Sequence, residues 1–535
     1  MNNEKKFVCY EDFGALGDGV CDDYAAIKAA HDYANENGLP IVCRENAVYR
    51  ICDTRIDGEL TTIAVKTDVN FSGSTVIFDD ENIAADDGTG MHAKDIFTLV
   101  QDVESYNLSS EELLAIGKIE RGAKKLNVTL PYPAFLIVRN ENHKIYIRYG
   151  MNANSGSATT DLVLVDENGN VDESTPILFD YDEVTYVRVI KSDTRPIVFE
   201  NLTVINRVSR VSTRREEGKI VRNYFNRAIM VSRSNVTIKN LTHKIVGEYT
   251  VEEQAAGLLC PSYHGVVTVR EATNVTIKNA EIPARRYYGV NGTYGFTANL
   301  SNQINVINVK QPNFYKEDGK TLSVNGAEYW GWGGVNHTKN LVYDGCEITR
   351  YDAHAGLVNG KIINSHVSVI NLIGGGDMLI ENSLLEYDRI FNLRADYGAT
   401  WRGTVTVRNC KIKPTSKVYH LCSLLWTNTN FGQSCHYPNV LIDNLSFVGD
   451  PVPATVCTNV KSNDPKRGCL LSEKNIHLET LENGEENLNP YYPPKYLKFI
   501  NNKANIDFYI EDLPFFENTE VEGFKKIKRE DSPAL

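Results

Sequence analysis

Positive charge is in deficit in this chain of 535 residues, where 56 Lys and Arg stand against 69 Asp and Glu for a net charge of -13 at pH 7. That balance lacks the broad phosphate-neutralising field which non-specific nucleic-acid binding requires, so nucleic acid is not expected as a partner. Long apolar runs are missing as well. No stretch approaches the roughly 18 consecutive apolar residues of a membrane span, and the opening MNNEKKFVCYEDFG has no apolar core of a secretory signal. No membrane partner is therefore expected, and a cytoplasmic location is. The eleven cysteines form no C-x-x-C pair and show no metal-ligand spacing. An odd, scattered set such as Cys9, Cys43, Cys260, Cys346 and Cys410 reads as reduced, mostly buried thiols, with no metal site and no cofactor.

What the chain has in abundance is one short phrase, roughly V-x-I-x-N-[SC], repeated. IVFEN, NVTIKN, NVTIKN, NLVYDG, GKIIN, MLIEN, TVTVRN and NVLIDN are closed by Asn201, Asn240, Asn279, Asp344, Asn364, Asn382, Asn409 and Asn444. Strand-like alternation inside a repeat of a few tens of residues marks a solenoid whose turns each add short strands to parallel sheets. The expected class is all-β, a parallel β-helix. Asn suits the bend that closes each copy because it tolerates left-handed backbone and bonds to neighbouring peptide groups. Residues at matching places on neighbouring coils should lie about 4.8 Å apart, the strand spacing.

Taken in order, residues 1–100 read as an N-terminal cap and first coils, with a helix over Asp23–Asn37 stopped by Gly38. Residues 101–194 change character: FLIVRN, KIYIRYG and DLVLVDENGNV are longer alternating strands, and Asn168-Gly169 between two apolar runs signals an antiparallel hairpin. An inserted antiparallel β domain is expected there. In KIYIRYG, alternation places Tyr146 and Arg148 on one face, and with Tyr149 they are candidate contacts to a long substrate. Residues 195–449 form the β-helix core, and 450–535, broken by Pro451, Pro453, Pro493 and Pro494, read as a C-terminal cap and tail.

The phrase DFGALGDGVCDDYAAIKAA at 12–30 resembles the N-terminal segment of the pectate-lyase-like superfamily of right-handed parallel β-helix proteins. That superfamily holds polysaccharide lyases, glycoside hydrolases, epimerases and phage tailspikes. The resemblance implies the fold, a helix plugging the open end of the solenoid, and a carbohydrate poly- or oligomer as partner. A homo-oligomer, dimer or trimer, and a place in a phage virion stand as alternatives that it brings.

Candidate chemistry clusters late in the core. Arg350, Asp352 and His354 are spaced i, i+2, i+4, so an extended strand turns all three to one face, as it does Arg394 and Asp396. So many polar groups would be costly inside a packed solenoid unless paired, and the face is expected to be the solvent side. Asp352, His354, Arg394 and Asp396 are the candidate catalytic residues. Arg350, Trp330, Trp332, Asn336, Tyr397, Trp401 and Arg402 are candidates for binding, the aromatic rings as walls on which sugars stack. Asp352 and Asp396 fall two coils apart, a separation of roughly 9 to 10 Å, near the ~6.5 to 9.5 Å that inverting glycosidases keep for a water. Inverting hydrolysis, with the pKa of one carboxylate raised to make it the acid, is the leading expectation. The alternatives are a lyase acting on a uronate glycan through His354 with Arg394 or Arg350, and a glycan-binding, tailspike-like protein without catalysis.

Overall fold

A computed structural model of the chain describes residues 6–83, 94–149, 153–211, 215–216, 219–220, 224–286, 292–316, 319, 329–415, 419–422, 430, 434–448, 454–456, 486, 488–503, 508–512 and 514–527. They belong to two compact units. The first comprises 1–104, 191–334 and 347–349, and the second 105–190, 335–346 and 350–535.

In the first unit the helix Tyr24–Asn37 forms where the sequence places it. The Asp22 carboxylate accepts from the Tyr24 amide at 3.1 Å, alanines carry the helix, and Gly38, at φ 65°, ends it in the left-handed region that glycine enters without strain. Its buried face, Tyr24, Ile27, Ala30, His31 and Ala34, packs on strands Ile41–Val42 and Ile63–Val65 of the first coils. Strands then stack in parallel with strict register: Val69 pairs with Phe199, Phe199 with Ile238, Ile238 with Ile277 and Ile277 with Val306. Each column of like residues fills the interior. Near its start, Phe71, Phe97 and Phe199 pack with centroids 4.8 to 6.0 Å apart, within the favourable range for edge-on aromatic pairs.

The asparagines that close each phrase do more than bend the chain. Asn201, Asn240 and Asn279 all have φ between 52° and 61°, and their amides bond from coil to coil: Asn240 Nδ2 to Asn201 Oδ1 at 2.7 Å, then Asn308 to Asn279 at 2.9 Å. Asn364, Asn382, Asn409 and Asn444 of the second unit share the positive φ. Asp344 is the exception, since there Gly345 takes the left-handed turn at φ 65°.

The second unit has its own parallel stack, along which Tyr343, Ile362, Ile380, Val407, Ile442 and Phe499 are register partners in turn. This corrects the expected end of the core. Beyond residue 449 the ladder continues, with Leu497 paired in parallel to Val521 and Ala454 to Phe508, so the described parts of 450–535 are further coils. Prolines 493 and 494 precede the strand Tyr496–Ile500 and leave its hydrogen bonds intact. Residues 457–485 of the expected cap lie outside the described ones.

Within the same unit Tyr106–Asn107, Ala134–Ile145, Ser157–Val165 and Tyr186–Lys191 make an antiparallel sheet of four strands. The Asn168-Gly169 turn is present: the Asp166 carboxylate accepts from the Asn168 and Asn170 amides, both at 2.9 Å, and Gly169 has φ 77°. The sheet has a core of its own, including Leu136, Val138, Val163, Val187 and Val189. A buried lysine anchors it to the coils. Lys339 Nζ lies 3.4 Å from the Asp161 carboxylate and donates to the carbonyls of Leu162 and Pro176 at 3.0 and 2.7 Å.

Candidate functional site

Arg350, Asp352 and His354 sit on the strand Glu347–Ile363, whose alternate residues Tyr351 and Ala353 point into the core. The face they share is covered, contrary to the expectation of a solvent side: Arg350 is 5% exposed and Asp352 2%. Pairing meets the cost of burial instead. Arg350 grips Asp352 Oδ2 through Nε at 3.0 Å and Nη2 at 2.8 Å, a charge-assisted contact of the strong kind. Asp352 Oδ1 accepts from Asn371 Nδ2 at 3.3 Å, and Asn371 Oδ1 accepts from Asn392 Nδ2 at 3.1 Å. Asn371 and Asn392 are register partners on successive coils.

Two coils on from Asp352, Arg394 lies between the two candidate carboxylates. Its Nε and Nη2 bond to Asp396 Oδ1 and Oδ2 at 3.0 and 2.7 Å, while Nη1 lies 3.9 Å from Asp352 Oδ1. The antiparallel sheet supplies a third guanidinium: Arg148 Nε is 2.9 Å from Asp396 Oδ2. Arg148 is placed by its neighbours. The Tyr149 amide donates to the Asp396 carbonyl at 2.8 Å, and the Tyr146 ring lies over Gly356, where an added Cβ would come within 2.6 Å of it. Tyr397 closes the cluster, its ring 5.0 Å from the Arg394 guanidinium, 5.5 Å from that of Arg148 and edge-on to His354 at 5.8 Å. His354 Nδ1 donates to Asn336 Oδ1 at 2.9 Å.

Three guanidiniums against two carboxylates set the electrostatics. Burial pushes the Asp352 pKa up, but Arg350 and then Arg394 outweigh it and hold the carboxyl below its ordinary range. Asp396 is likewise raised by burial and lowered further by Arg394 and Arg148. The expectation that one of these carboxyls has a raised pKa is thus reversed, because each lies against arginine and not against a bare partner. His354 goes the other way: burial, reinforced by the Arg394 charge, pushes it down to about 3. It is a neutral imidazole at physiological pH, and its Nδ1 carries the proton given to Asn336. Nε2 is left as the basic nitrogen. The gap between Asp352 and Asp396 that an inverting pair reserves for water is occupied by the Arg394 guanidinium.

Of the expected residues, the structure brings together Asp352, His354, Arg394, Asp396, Arg350, Asn336 and Tyr397. Trp401 is not a wall. It is fully buried, with its indole N–H donating to the Gly376 carbonyl at 3.2 Å, because it shares the inward face of its strand with Val405 and Val407. Trp332 is buried in the first unit, stacked on Phe296 at 5.1 Å, and Trp330 packs edge-on to Tyr294 in that unit. Arg402 is exposed and lines a separate cleft. Asn371 and Asn392 were missed by sequence reasoning, although they repeat at the coil interval from Asp352. Among the described residues no group of three or more His, Cys, Asp or Glu side chains gathers as a metal site, and no helix is long and apolar enough to cross a membrane.

No family model and no curated protein sequence matches the chain. Solved structures do resemble it. The Gp54 tailspike of Acinetobacter baumannii bacteriophage AP22, solved with a capsular saccharide, is 10% identical over 97% of this chain and 79% of its own, at a TM-score of 0.45. The tailspike of Pseudomonas phage phi297 is 13% identical over 84% of this chain and 77% of its own, at 0.44. The Streptococcus pneumoniae surface adhesin PfbA is 12% identical over 84% of this chain and 100% of its own, at 0.41. By its own strand pairing the chain is a parallel β-helix with an inserted antiparallel sheet.

Proposed function

We propose that the chain is a carbohydrate-active enzyme that cleaves a uronate-containing glycan by β-elimination, with His354 as the base. The observation that carries this is the neutral imidazole beside two arginines. A uronate carboxylate exchanged onto the exposed edges of Arg394 and Arg148 would be neutralised there, which acidifies the proton on its α-carbon, C5. His354 Nε2 takes that proton, the C5–H electron pair becomes the C4=C5 double bond, and the C4–O4 bond breaks. The leaving O4 takes a proton from Tyr397, whose phenol burial keeps protonated. Arg350 and Asn371 hold Asp352 as a fixed anion, and Asp352 in turn orients Arg394.

Inverting hydrolysis needs a protonated carboxylic acid and a water between the carboxylates, and both positions are taken by arginine. Glycan binding without turnover is the second reading, favoured by the near-complete cover over Arg350 and Asp352. Incubation with a panel of uronate glycans tests all three. Elimination yields the ultraviolet absorbance of an unsaturated uronate, new reducing ends without absorbance would mean hydrolysis, and binding without either would leave a glycan-binding protein.

A further inference from the structure

Apart from the charge cluster, the second unit holds a cleft of about 330 Å³ between the antiparallel sheet and the coils. That volume falls at the lower end of the roughly 300 to 1,000 Å³ typical of ligand pockets. From the antiparallel sheet come His143 and Lys144, from the turn before it Arg121, and from the coils Arg402 and His436, with the backbone of Gly374–Gly376 between them. Among the described residues no carboxylate lines it. Arg121, Lys144 and Arg402 are exposed, and among the described residues no ion pair engages their head groups. Two acids touch the backbone of lining residues and not their cationic heads: Asp180 accepts from the Arg121 amide at 2.8 Å, and Asp161 from the amides of Leu178 and Phe179 at 3.0 and 3.1 Å. In a chain of net charge -13, a cavity whose charged lining side chains, Arg121, Lys144 and Arg402, are all cationic concentrates positive potential where the rest of the surface would repel an anion.

The cleft is built, not an accident of loose side chains. Glycine is required along its floor: a Cβ on Gly375 would lie 2.6 Å from the Arg402 carbonyl oxygen, and one on Gly376 2.2 Å from Asn359 Oδ1. The His436 amide donates to Thr400 Oγ1 at 3.0 Å, and its ring stacks on Tyr492 at 4.5 Å. The cleft also communicates with the charge cluster through the chain itself. Tyr146 lines it, and from Lys144 to Arg148 is a span of at most ~14 Å, a distance that a few sugar units cover.

We propose that this cleft is an anchoring subsite for an anionic substituent, carboxylate or sulfate, on a glycan whose neighbouring unit lies at His354. The identity of the chain as glycan rests on the function proposed above, whereas the demand for negative charge rests on the cleft alone. Binding of three probes to the full chain tests it by calorimetry: oligogalacturonate, a sulfated chondroitin oligomer and a neutral maltooligosaccharide of equal length. One or both charged probes should bind, and the neutral one should not. The stronger of the two charged probes identifies the substituent. The double variant Lys144→Ala/Arg402→Ala should lose at least about tenfold in affinity with an unchanged melting temperature, since both side chains are exposed, and its binding should depend less on salt. The readout is affinity alone, so a chain that binds without eliminating would leave this result standing. Equal binding of the neutral probe, wild-type affinity in the double variant, or no binding of either charged probe at millimolar concentration would overturn the proposal.

Discussion

Each unit buries arginine against aspartate, and the two clusters end differently. In the first, Arg227 Nε meets Asp80 Oδ1 at 2.6 Å with both side chains sealed, at 1% and 0% exposure. Every remaining contact is internal: Tyr263 and Asn206 donate to Asp80 Oδ2 at 3.0 and 2.8 Å, and Arg227 Nη2 to the Cys52 carbonyl at 2.9 Å. In the second, Arg394 and Asp396 keep 12% and 30% of their side chains exposed, and a neutral imidazole stands beside them. The chemistry of the pairs is the same. A closed pair can only fix coils in place, whereas one with an open edge can trade a partner for a ligand.

The sharpest way to break the comparison is at His354. His354→Ala should cost ~10² to 10⁴ in turnover, the usual contribution of a general base, and leave the melting temperature near that of the parent. An unchanged rate would move the chemistry elsewhere. Because its pKa lies at about 3, the base stays deprotonated down to that pH, so the acid limb of the rate profile should fall near pH 3 and not near the 6.5 of an ordinary histidine. Arg227→Leu should do the opposite, destabilising by ~3 to 5 kcal/mol because Asp80 is left buried and unpaired, as read by denaturant unfolding. An Arg227→Leu protein as stable as the parent would show that the sealed cluster carries little.

A milder effect concerns His31, which is fully buried, hydrogen-bonded to the Tyr10 hydroxyl at 2.9 Å, and pushed down by burial to about 3. Its folded pKa lies below the unfolded value, so the unfolded chain binds the extra proton. Its contribution is complete above about pH 6.5 and is lost as pH falls from there towards 3. His31→Gln should flatten the decline in melting temperature over that window, and an identical slope would refute the assignment. The smallest change is expected at Asn240→Ala. It forces alanine into a left-handed bend and removes the rung to Asn201 and the long one from Asn279, at ~1 to 2 kcal/mol, which thermal melts resolve.

The fold was legible because the interior repeats: a residue such as Ile238 has a like neighbour above and below, and that regularity is written in the sequence. The site was legible in part. The i, i+2, i+4 spacing put Arg350, Asp352 and His354 on one face, but the alternation expected in KIYIRYG is broken, because the strand ends at Ile145 and Tyr146 has φ 52°. What covers that face is decided by where a separate sheet docks, and no local pattern records it. For the same reason the cleft was invisible, since Arg121 and Lys144 meet Arg402 only through that docking. Trp401 was a different failure. Its in-phase spacing with Val405 and Val407 already placed it inside, and weighing that period above the appeal of an indole as a sugar platform would have found it.

The asparagine rungs have a direction. Asn240 donates to Asn201, Asn308 to Asn279, Asn359 to Asn340 and Asn444 to Asn409, so in each link the N–H belongs to the later coil and the oxygen to the earlier one. Side-chain amide dipoles aligned in this way reinforce one another along a column. The short column Asn392, Asn371, Asp352 obeys the same rule, but its final acceptor is a carboxylate instead of an amide. The positive poles of two stacked amides therefore point at Asp352, and the solenoid's own polarity helps to keep that residue an anion.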